Sequence, residues 1–201
     1  MRNWLRGGAL VLLCWAHGAF AGTVLVVGDS ISAAFGLETS QGWVHLLQQR
    51  LETEKLDYRV VNASISGDTS GGGLARLPTL LTEHEPDVVI IELGGNDGLR
   101  GQPPAQLRQN LAAMVKQSQE VDAQVVLLGM RMPPNLGQRY TTAFAQAFDS
   151  LAEEKDLPYV PFLLEGVGGV EGMMQADRIH PTAGAQQQLL DNVWPVLEPL
   201  L

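Results

Sequence analysis

Short runs of β-branched and aliphatic residues alternate with amphipathic stretches from residue 23 to the end of the chain. The runs have the length and composition of strands, and polar or glycine-rich segments bound them. They predict five strands, at residues 24–27, 58–62, 88–93, 124–128 and 159–161. Strands that alternate with helices are typical of an α/β domain with a parallel sheet.

The amphipathic stretches predict helices, because their apolar residues recur three or four positions apart. Crossovers between parallel strands are right-handed and sequential elements are usually neighbours, which leaves few topologies for five strands. We predict a three-layer α/β/α fold with a flavodoxin-like sheet in the order 2-1-3-4-5. The stripes expected to face the sheet, together with Trp194, are Trp43, Leu46, Leu47, Leu51; Leu107, Leu111, Met114, Val115; Phe144, Ala147, Phe148, Leu151; and Leu189, Leu190, Val193, Leu197.

The first 21 residues have a different pattern, typical of a secretory signal peptide. Arg2 and Arg6 form a positive region before an apolar run at residues 8–16, and residues 19–21 have the small-x-small form of a cleavage site. The run is too short to span a bilayer as a mature helix. We predict cleavage before Gly22, a single domain over residues 22–201 and a periplasmic or secreted protein. An uncleaved N-terminal anchor is the alternative.

Cysteine content and charge narrow the classes of site and partner. The single cysteine, Cys14, lies in the predicted leader, and the bulky Leu13 before it argues against lipid attachment, so we expect no stable membrane anchor. The mature chain then has no disulfide, thiolate metal site or cysteine nucleophile. The net charge of −9 becomes −11 when the leader's two arginines are removed. Such a surface disfavours nucleic acid and anionic membranes as partners.

Polar, glycine-rich segments follow the first three predicted strands. Ser30 comes after the first strand, residues 66–68 (Ser-Gly-Asp) after the second and residues 94–97 (Gly-Gly-Asn-Asp) after the third. In open parallel sheets, ligands bind outside the carboxyl ends of the strands, at the point where the strand order reverses. With the order 2-1-3, we expect all three segments at one edge of the sheet.

A serine hydroxyl needs a neighbouring base to act as a nucleophile at neutral pH. Of the three histidines after the leader, His45 falls in the first amphipathic helix and His84 in a charged stretch, which indicates solvated surface positions. His180 instead follows Asp177 by three residues, just before the last helix. Asp177 can therefore hold Nδ1–H while Nε2 faces Ser30. A local salt bridge between Asp177 and His180 is the alternative explanation.

Acyl transfer also needs hydrogen-bond donors for the oxyanion of its tetrahedral intermediate. The backbone N–H groups of Ser30 and Gly67 and the side-chain amide of Asn96 are the candidates. Each has an alternative explanation, since glycine is common in loops and asparagine in turns. We interpret Asp29 and Asp97 as acceptors that order their loops. No His-x-His or His-Glu-x-x-His pattern predicts a metal site.

Four short blocks occur in a fixed order: Gly-Asp-Ser near the start of the mature chain, a glycine after the second strand, Gly-x-Asn-Asp after the third, and Asp-x-x-His near the end. Together they resemble the blocks of the SGNH, or GDSL-type, hydrolase family. The resemblance implies that Ser30 is the nucleophile, His180 the general base and then acid, and Asp177 its orienting partner. It also implies an oxyanion hole formed by Ser30, Gly67 and Asn96.

Further stretches resemble the bacterial periplasmic thioesterase I / protease I / lysophospholipase (arylesterase) subfamily: residues 61–70, 73–78 and 134–140. The resemblance implies hydrolysis of acyl thioesters, aryl and alkyl esters and lysophospholipids without a cofactor. In that subfamily the loop after the Gly-Gly-Asn-Asp block holds the acyl chain, which makes Leu99 a candidate substrate contact. Leu136 and Tyr140 of a second loop are two more candidates. An ordinary surface loop is the alternative for all three.

Three other functions compete with this one. An ordinary α/β-hydrolase would need a Gly-x-Ser-x-Gly elbow, which no serine here has. A carbohydrate O-acetylesterase would keep the fold and change the substrate. A non-catalytic anion-binding module would leave the complete set of nucleophile, base and donors unexplained. Because coenzyme A esters are cytoplasmic and polyanionic, we expect an exported acidic protein to act on lysophospholipids or other lipid esters instead.

Overall fold

A computed structural model describes residues 22–201, so the predicted signal peptide and Cys14 lie outside the described residues. Five strands form one parallel sheet in the order β2-β1-β3-β4-β5, which confirms the predicted topology. The first strand is longer than predicted at both ends, and the third and fifth each end one residue earlier. The strands are β1 (Gly22–Gly28), β2 (Tyr58–Asn62), β3 (Val88–Glu92), β4 (Gln124–Leu128) and β5 (Tyr159–Val160).

Six α-helices within residues 22–201 accompany the sheet: α1 (Trp43–Glu54), α2 (Ser70–His84), α3 (Gly95–Leu99), α4 (Pro104–Gln119), α5 (Gln138–Lys155) and α6 (Gln186–Leu197). Helices α2, α4 and α5 pack side by side, and α1 packs against α6. The sheet therefore lies between two layers of helix, as the pattern predicts. Two short 3₁₀ turns adjoin the site, Pro134–Leu136 before α5 and Ala183–Ala185 before α6.

The core lies between these helices and the sheet. Strands β1 and β3 are buried along their whole length, because each has strands on both sides and helices on both faces. Every residue of the predicted apolar stripes is buried except Leu46, which is half-buried. Trp194 is buried as well. Each fully buried side chain of this kind contributes about 1.5–3 kcal/mol relative to an exposed one, so the core holds the strand ends firmly in place.

All five strands run in the same direction, so their carboxyl ends lie at one edge of the sheet. The loops that follow β1, β2 and β3 and the segment before α6 meet at this edge. None of the helices within residues 22–201 has the length and apolar content needed to cross a membrane.

Candidate active site

One side chain, Asn96, connects the loops that follow the first three strands. It lies in α3, directly after β3. Its Nδ2 donates to the backbone oxygen of Asp68, in the loop after β2, at 2.8 Å. The same Nδ2 donates to Oδ2 of Asp29, after β1, at 3.1 Å. The three segments therefore converge beside the β1–β3 switch point, as the strand order predicts.

Ser30, His180 and Asp177 form a continuous hydrogen-bonded series at the same edge. Nε2 of His180 lies 2.9 Å from Oγ of Ser30, and Nδ1 lies 2.7 Å from Oδ2 of Asp177. Oδ1 of Asp177 accepts the backbone N–H groups of Ile179 and His180, at 2.9 and 3.0 Å. The hydrogen bond from His180, followed by those from the two backbone N–H groups, lowers the pKa of Asp177 to about 2. The carboxylate is therefore charged at neutral pH and orients the imidazole.

The loop that carries His180 is held from two sides. The backbone N–H of Gln175 donates to the oxygen of His180 at 2.7 Å, next to a β-bridge between Met174 and Pro181. The ring of Phe35, in the loop after Ser30, lies 4.4 Å from the imidazole, centroid to centroid. Nε2 of Gln175 also donates to the oxygen of Phe35 at 2.8 Å. The loop that carries Ser30 and the loop that carries His180 thus hold each other in place.

The other two histidines do not take part in these contacts. His45 lies in α1 with Nε2 at 3.1 Å from Nε2 of Gln49, and His84 ends α2. Both are half-buried rather than fully solvated. Of the three histidines described, His180 is the one bonded to Ser30.

The three predicted oxyanion donors differ in whether their N–H groups already have an acceptor. Among the described residues, no acceptor pairs with the backbone N–H of Ser30 or of Gly67, so both donors are available. Gly67 has φ +80°, a left-handed conformation that favours glycine. The amide of Asn96, in contrast, gives both hydrogens to Asp29 and Asp68. It can donate to an oxyanion only by sharing or releasing one of these bonds.

The GDSL-like lipase/acylhydrolase family profile matches residues 26–188, a span that includes Ser30, Asn96 and His180. The chain belongs to this family. The GDSL-type signature and the hydrogen-bonded series thus fall on the same residues.

Relatives of this GDSL-type chain match it along most of its length. It is 62% identical over 201 residues to esterase TesA of Pseudomonas aeruginosa, with 100% of both chains covered. It is 44% identical over 192 residues to thioesterase 1/protease 1/lysophospholipase L1 of Escherichia coli, over 96% of this chain and 90% of that protein. A crystal structure of TesA matches with a TM-score of 0.87 and 65% identity, over 89% of this chain and 99% of that one. The chain is therefore a hydrolase of the esterase and thioesterase class.

In this GDSL-type chain, a cavity of about 670 Å³ adjoins the hydrogen-bonded series of Ser30, His180 and Asp177. Ile31 and Gly95, which flank Ser30 and Asn96 in sequence, belong to its wall. The remaining lining residues come mainly from the loops after β4 and β5 and from the triad loop: Leu99, Met130, Arg131, Met132, Pro133, Pro134, Asn135, Phe162, Leu164, Gly168, Gly169, Met174, Asp177, Arg178 and Ile179. The wall is mostly apolar.

The three predicted substrate contacts differ in their relation to this cavity. Leu99 lines it and is 46% exposed. Leu136 and Tyr140 are outside the lining, which instead uses the preceding residues 133–135. The hydroxyl of Tyr140 donates to the backbone oxygen of Gln102 at 2.8 Å, so this side chain braces the loop after Leu99. Contact of Leu136 and Tyr140 with substrate stays a prediction.

Sequence reasoning missed Glu92, a fully buried carboxyl group at the end of β3. Its Oε2 accepts the Ser32 hydroxyl at 2.7 Å and the backbone N–H of Asp29 at 3.2 Å. Trp43 Nε1 donates to the Ser32 oxygen in turn, at 3.2 Å. The signal was present in the sequence, because a lone acid within an apolar strand is rarely buried without a specific role.

Burial changes the protonation of both carboxyl groups behind Ser30. It raises the pKa of Asp29 to about 6, against the opposing effects of the Ile31 N–H and of His180. Burial, and then the negative charge of Asp29, raise the pKa of Glu92 well above its ordinary value. Glu92 has no exposure to water, so its burial favours the neutral carboxyl group. A neutral acid thus supports the backbone turn that carries the serine.

Asp29 and Asp97 act as acceptors that order their loops, as the sequence analysis predicts. Asp29 Oδ1 accepts the N–H of Ile31 at 3.0 Å. Asp97 accepts two hydrogen bonds from Ser70, one from the backbone N–H at 2.8 Å and one from the side-chain hydroxyl at 2.5 Å. Asp97 thereby joins α3 to the start of α2. Residues 22–201 contain no group of three or more His, Cys, Asp or Glu side chains placed to hold a metal ion.

Proposed function

We propose that this chain hydrolyses acyl esters and thioesters through a covalent acyl intermediate on Ser30. The observation that carries the proposal is the series of contacts from Oγ of Ser30 through His180 to Asp177. The unpaired N–H groups of Ser30 and Gly67 support the same chemistry, because they are free to bind a developing oxyanion.

In the acylation step, Nε2 of His180 takes the hydroxyl proton while Oγ of Ser30 attacks the acyl carbon. Asp177 holds Nδ1–H and stabilises the imidazolium that forms. The oxyanion accepts the N–H groups of Ser30 and Gly67 and one hydrogen of Asn96. His180 then gives its proton to the departing alcohol or thiol, and the carbon–oxygen or carbon–sulfur bond breaks.

In the deacylation step, water replaces the departed group. His180 takes a proton from the water, whose oxygen attacks the acyl carbon, and the second oxyanion occupies the same donors. When this intermediate collapses, the ester bond to Ser30 breaks and His180 returns the proton to Oγ. The products are a carboxylic acid and the free enzyme, so no metal or organic cofactor is needed.

The substrates we propose are single-chain lipid esters, including lysophospholipids, together with aryl and alkyl esters and acyl thioesters. The mostly apolar wall of the cavity beside Ser30 supports this class, because an acyl chain gains free energy when it leaves water for such a surface. A carbohydrate O-acetylesterase would need more hydrogen-bonding side chains than this wall supplies. The names of two relatives, esterase TesA and thioesterase 1/protease 1/lysophospholipase L1, agree with the proposed lipid-ester substrates.

We further propose that residues 1–21 direct export and that residues 22–201 act in the periplasm or outside the cell. The positive, apolar and small-residue regions of the leader support this location. In a host that expresses the full chain, the mature protein should appear in the exported fraction with Gly22 as its first residue. A cytoplasmic protein that retains Met1 would refute export.

The catalytic proposal is tested with a fluorophosphonate probe and p-nitrophenyl butyrate. The wild type should be labelled at Ser30, whereas Ser30→Ala should not be labelled and should lose about 10⁴-fold or more in kcat. Ser40→Ala, at an exposed serine in the 3₁₀ turn Thr39–Gln41, is the matched control and should retain both properties. Ester hydrolysis by Ser30→Ala at the wild-type rate would contradict the mechanism.

Acyl-chain length separates the lipid and carbohydrate alternatives. With p-nitrophenyl esters from acetate to dodecanoate, kcat/KM should rise beyond acetate, because longer chains bury more apolar surface in the cavity. Activity confined to acetate would favour the O-acetylesterase.

A further inference from the structure

Within residues 22–201, the two arginines that line the cavity have no polar partner for the side chain, and neither has Arg139, an exposed residue of α5 outside the lining. Arg50, Arg76 and Arg108 form ion pairs with carboxylates, and the side chains of Arg59 and Arg100 donate to protein oxygens. Arg131 and Arg178 both line the cavity, and neither has an ion pair or a side-chain hydrogen bond with any described residue. The guanidinium of Arg131 lies over the ring of Phe162, 5.4 Å from its centroid. Both side chains are exposed.

The backbone of Arg178 makes this arginine unusual. Its φ is +58°, a left-handed conformation that is unfavourable for any residue with a Cβ atom and that glycine adopts freely. Four of the other described non-glycine residues with positive φ follow helices, where this conformation is common: Lys55, Glu85, Asp122 and Asp156. Arg178 lies instead between Asp177 and His180. A long cation therefore stands beside the triad at a position where the backbone favours glycine.

The charge of the cavity is opposite to that of the protein. The chain has a net charge of −9, yet Asp177 is the only acidic residue among those that line the cavity. Its carboxylate is already engaged by His180 and by two backbone N–H groups. The charge left available to a ligand is therefore positive. Apolar side chains surround it: Ile31, Leu99, Met130, Met132, Phe162 and Met174.

We propose that the cavity selects esters that combine an apolar chain with an anionic oxygen group, and that Arg131 and Arg178 bind this group. The inference rests on the proposed esterase function and names its substrate class. Guanidinium groups suit phosphate and carboxylate because their planar N–H groups match two oxygens at once. The anionic group can belong to the departing alcohol, as in a glycerol phosphate ester, or to the far end of the acyl chain.

The experiment compares matched neutral and anionic substrates below their micelle concentrations. One pair is monooctanoylglycerol and octanoylglycerol phosphate; the other is p-nitrophenyl octanoate and the mono-p-nitrophenyl ester of octanedioic acid. The wild type should prefer the anionic member of at least one pair, and the pair identifies the source of the charge. Added NaCl at 0.5 M should weaken the preference, because these arginines are exposed and are screened by salt.

Variants of Arg131 and Arg178, with one control variant, test whether these two residues cause the preference for anionic esters. Arg131→Ala and Arg178→Gly should each lower the ratio of kcat/KM on the anionic ester to kcat/KM on the neutral ester about three- to tenfold, through a rise in KM for the anionic ester. Arg178→Gly also permits the observed φ, so the loop should keep its shape. Arg139→Ala, at an exposed arginine of α5 outside the cavity lining, is the control and should retain the preference.

Two results would overturn the inference. Equal kcat/KM on neutral and anionic members of both pairs would show that the cavity does not select charge. Equal losses on both members in Arg178→Gly would make Arg178 a positioning residue of the triad loop. Failure of the esterase proposal itself looks different, because the wild type would then hydrolyse no ester in either pair.

Discussion

Among single residues, Glu92 has the least ordinary environment, a carboxyl group with no exposure at the end of a central strand. Because burial raises its pKa and that of Asp29, the folded protein holds protons that the unfolded chain releases. Stability from such groups is fully present below the unfolded-state pKa, near 4, and falls as the pH rises. For Asp29 the loss extends through about pH 6.

Glu92→Gln should therefore make the free energy of unfolding less dependent on pH. Glutamine stays neutral and its oxygen can still accept from Ser32 and Asp29, so the variant should lose less stability than the wild type between pH 5 and pH 8. The slopes should differ by up to about 1.4 kcal/mol per pH unit, the value for one proton. Urea unfolding at several pH values measures this, with Glu83→Gln as an exposed control. Parallel slopes for wild type and Glu92→Gln would refute a buried neutral acid.

Asn96 has two tasks at once, since it connects three loops and is a proposed oxyanion donor. Asn96→Ala should lower kcat on p-nitrophenyl butyrate about 10²–10³-fold, the usual cost of one lost donor, with a smaller change in KM. The rate of labelling by the fluorophosphonate and the midpoint of urea unfolding, each compared between Asn96→Ala and the wild type, distinguish the donor task from the structural task. A rate loss that disappears when the variant is stabilised by lower temperature would assign Asn96 a purely structural task.

At the scale of elements, helix α5 shapes the site although it contributes no residue to the triad. Its Phe148 packs beneath Gly94, where an added Cβ would lie 2.8 Å from the ring and where φ is +125°. The turn from β3 to Asn96 is thereby pressed against the helix. At its first turn, Tyr140 holds the backbone of Gln102. The position of the loop after Leu99 thus depends on a helix from a later part of the chain.

Tyr140→Phe should release this loop. We expect a loss of about 0.5–1.5 kcal/mol in the free energy of unfolding, typical of one hydrogen bond, and a several-fold rise in KM for decanoyl but not acetyl esters. Tyr159→Phe removes a comparable bond, from its hydroxyl to Asp149 at 2.8 Å, outside the cavity lining. It should lose similar stability with unchanged KM. A rise in KM in both variants would mean that the Gln102 contact has no special effect on the substrate.

At the scale of the whole molecule, one apolar core joins both helical layers to the sheet. The fluorescence of the buried Trp43 and Trp194 monitors the packing of α1 and α6. Esterase activity instead monitors the loops at the carboxyl edge of the sheet, which hold the proposed triad. A single core predicts a single cooperative unfolding transition for residues 22–201.

The corresponding experiment expresses residues 22–201 without the leader and follows unfolding in urea by tryptophan fluorescence, far-ultraviolet circular dichroism and esterase activity. The three midpoints should coincide, and the isolated segment should be active, because the proposed triad and oxyanion donors all lie within residues 22–201. Two separated transitions in fluorescence and circular dichroism would contradict a single domain.

Local pattern was sufficient for the five strands, for helices α1, α4, α5 and α6, and for most of the predicted site, but it did not place α2 or α3. The apolar runs placed all five strands to within two residues at each end. Right-handed crossovers and pairing of sequential elements left few topologies, and the flavodoxin-like order chosen among them is the observed one. Ser30, Gly67 and Asn96 follow strand ends, where a parallel sheet must bring loops together. His180 and Asp177 are near neighbours in sequence, so their bond is local as well.

What the sequence by itself determined was therefore everything that depends on periodicity, strand ends and short spacing: the α/β class, the sheet order and the predicted triad. The tertiary structure alone decided which groups lose contact with water and which loops share a wall. Three features depend on distances between residues far apart in the chain: the burial of Glu92, the cavity built from the loops after β4 and β5, and the placement of Arg131 and Arg178 in its wall. Those distances follow from core packing, which no local pattern encodes.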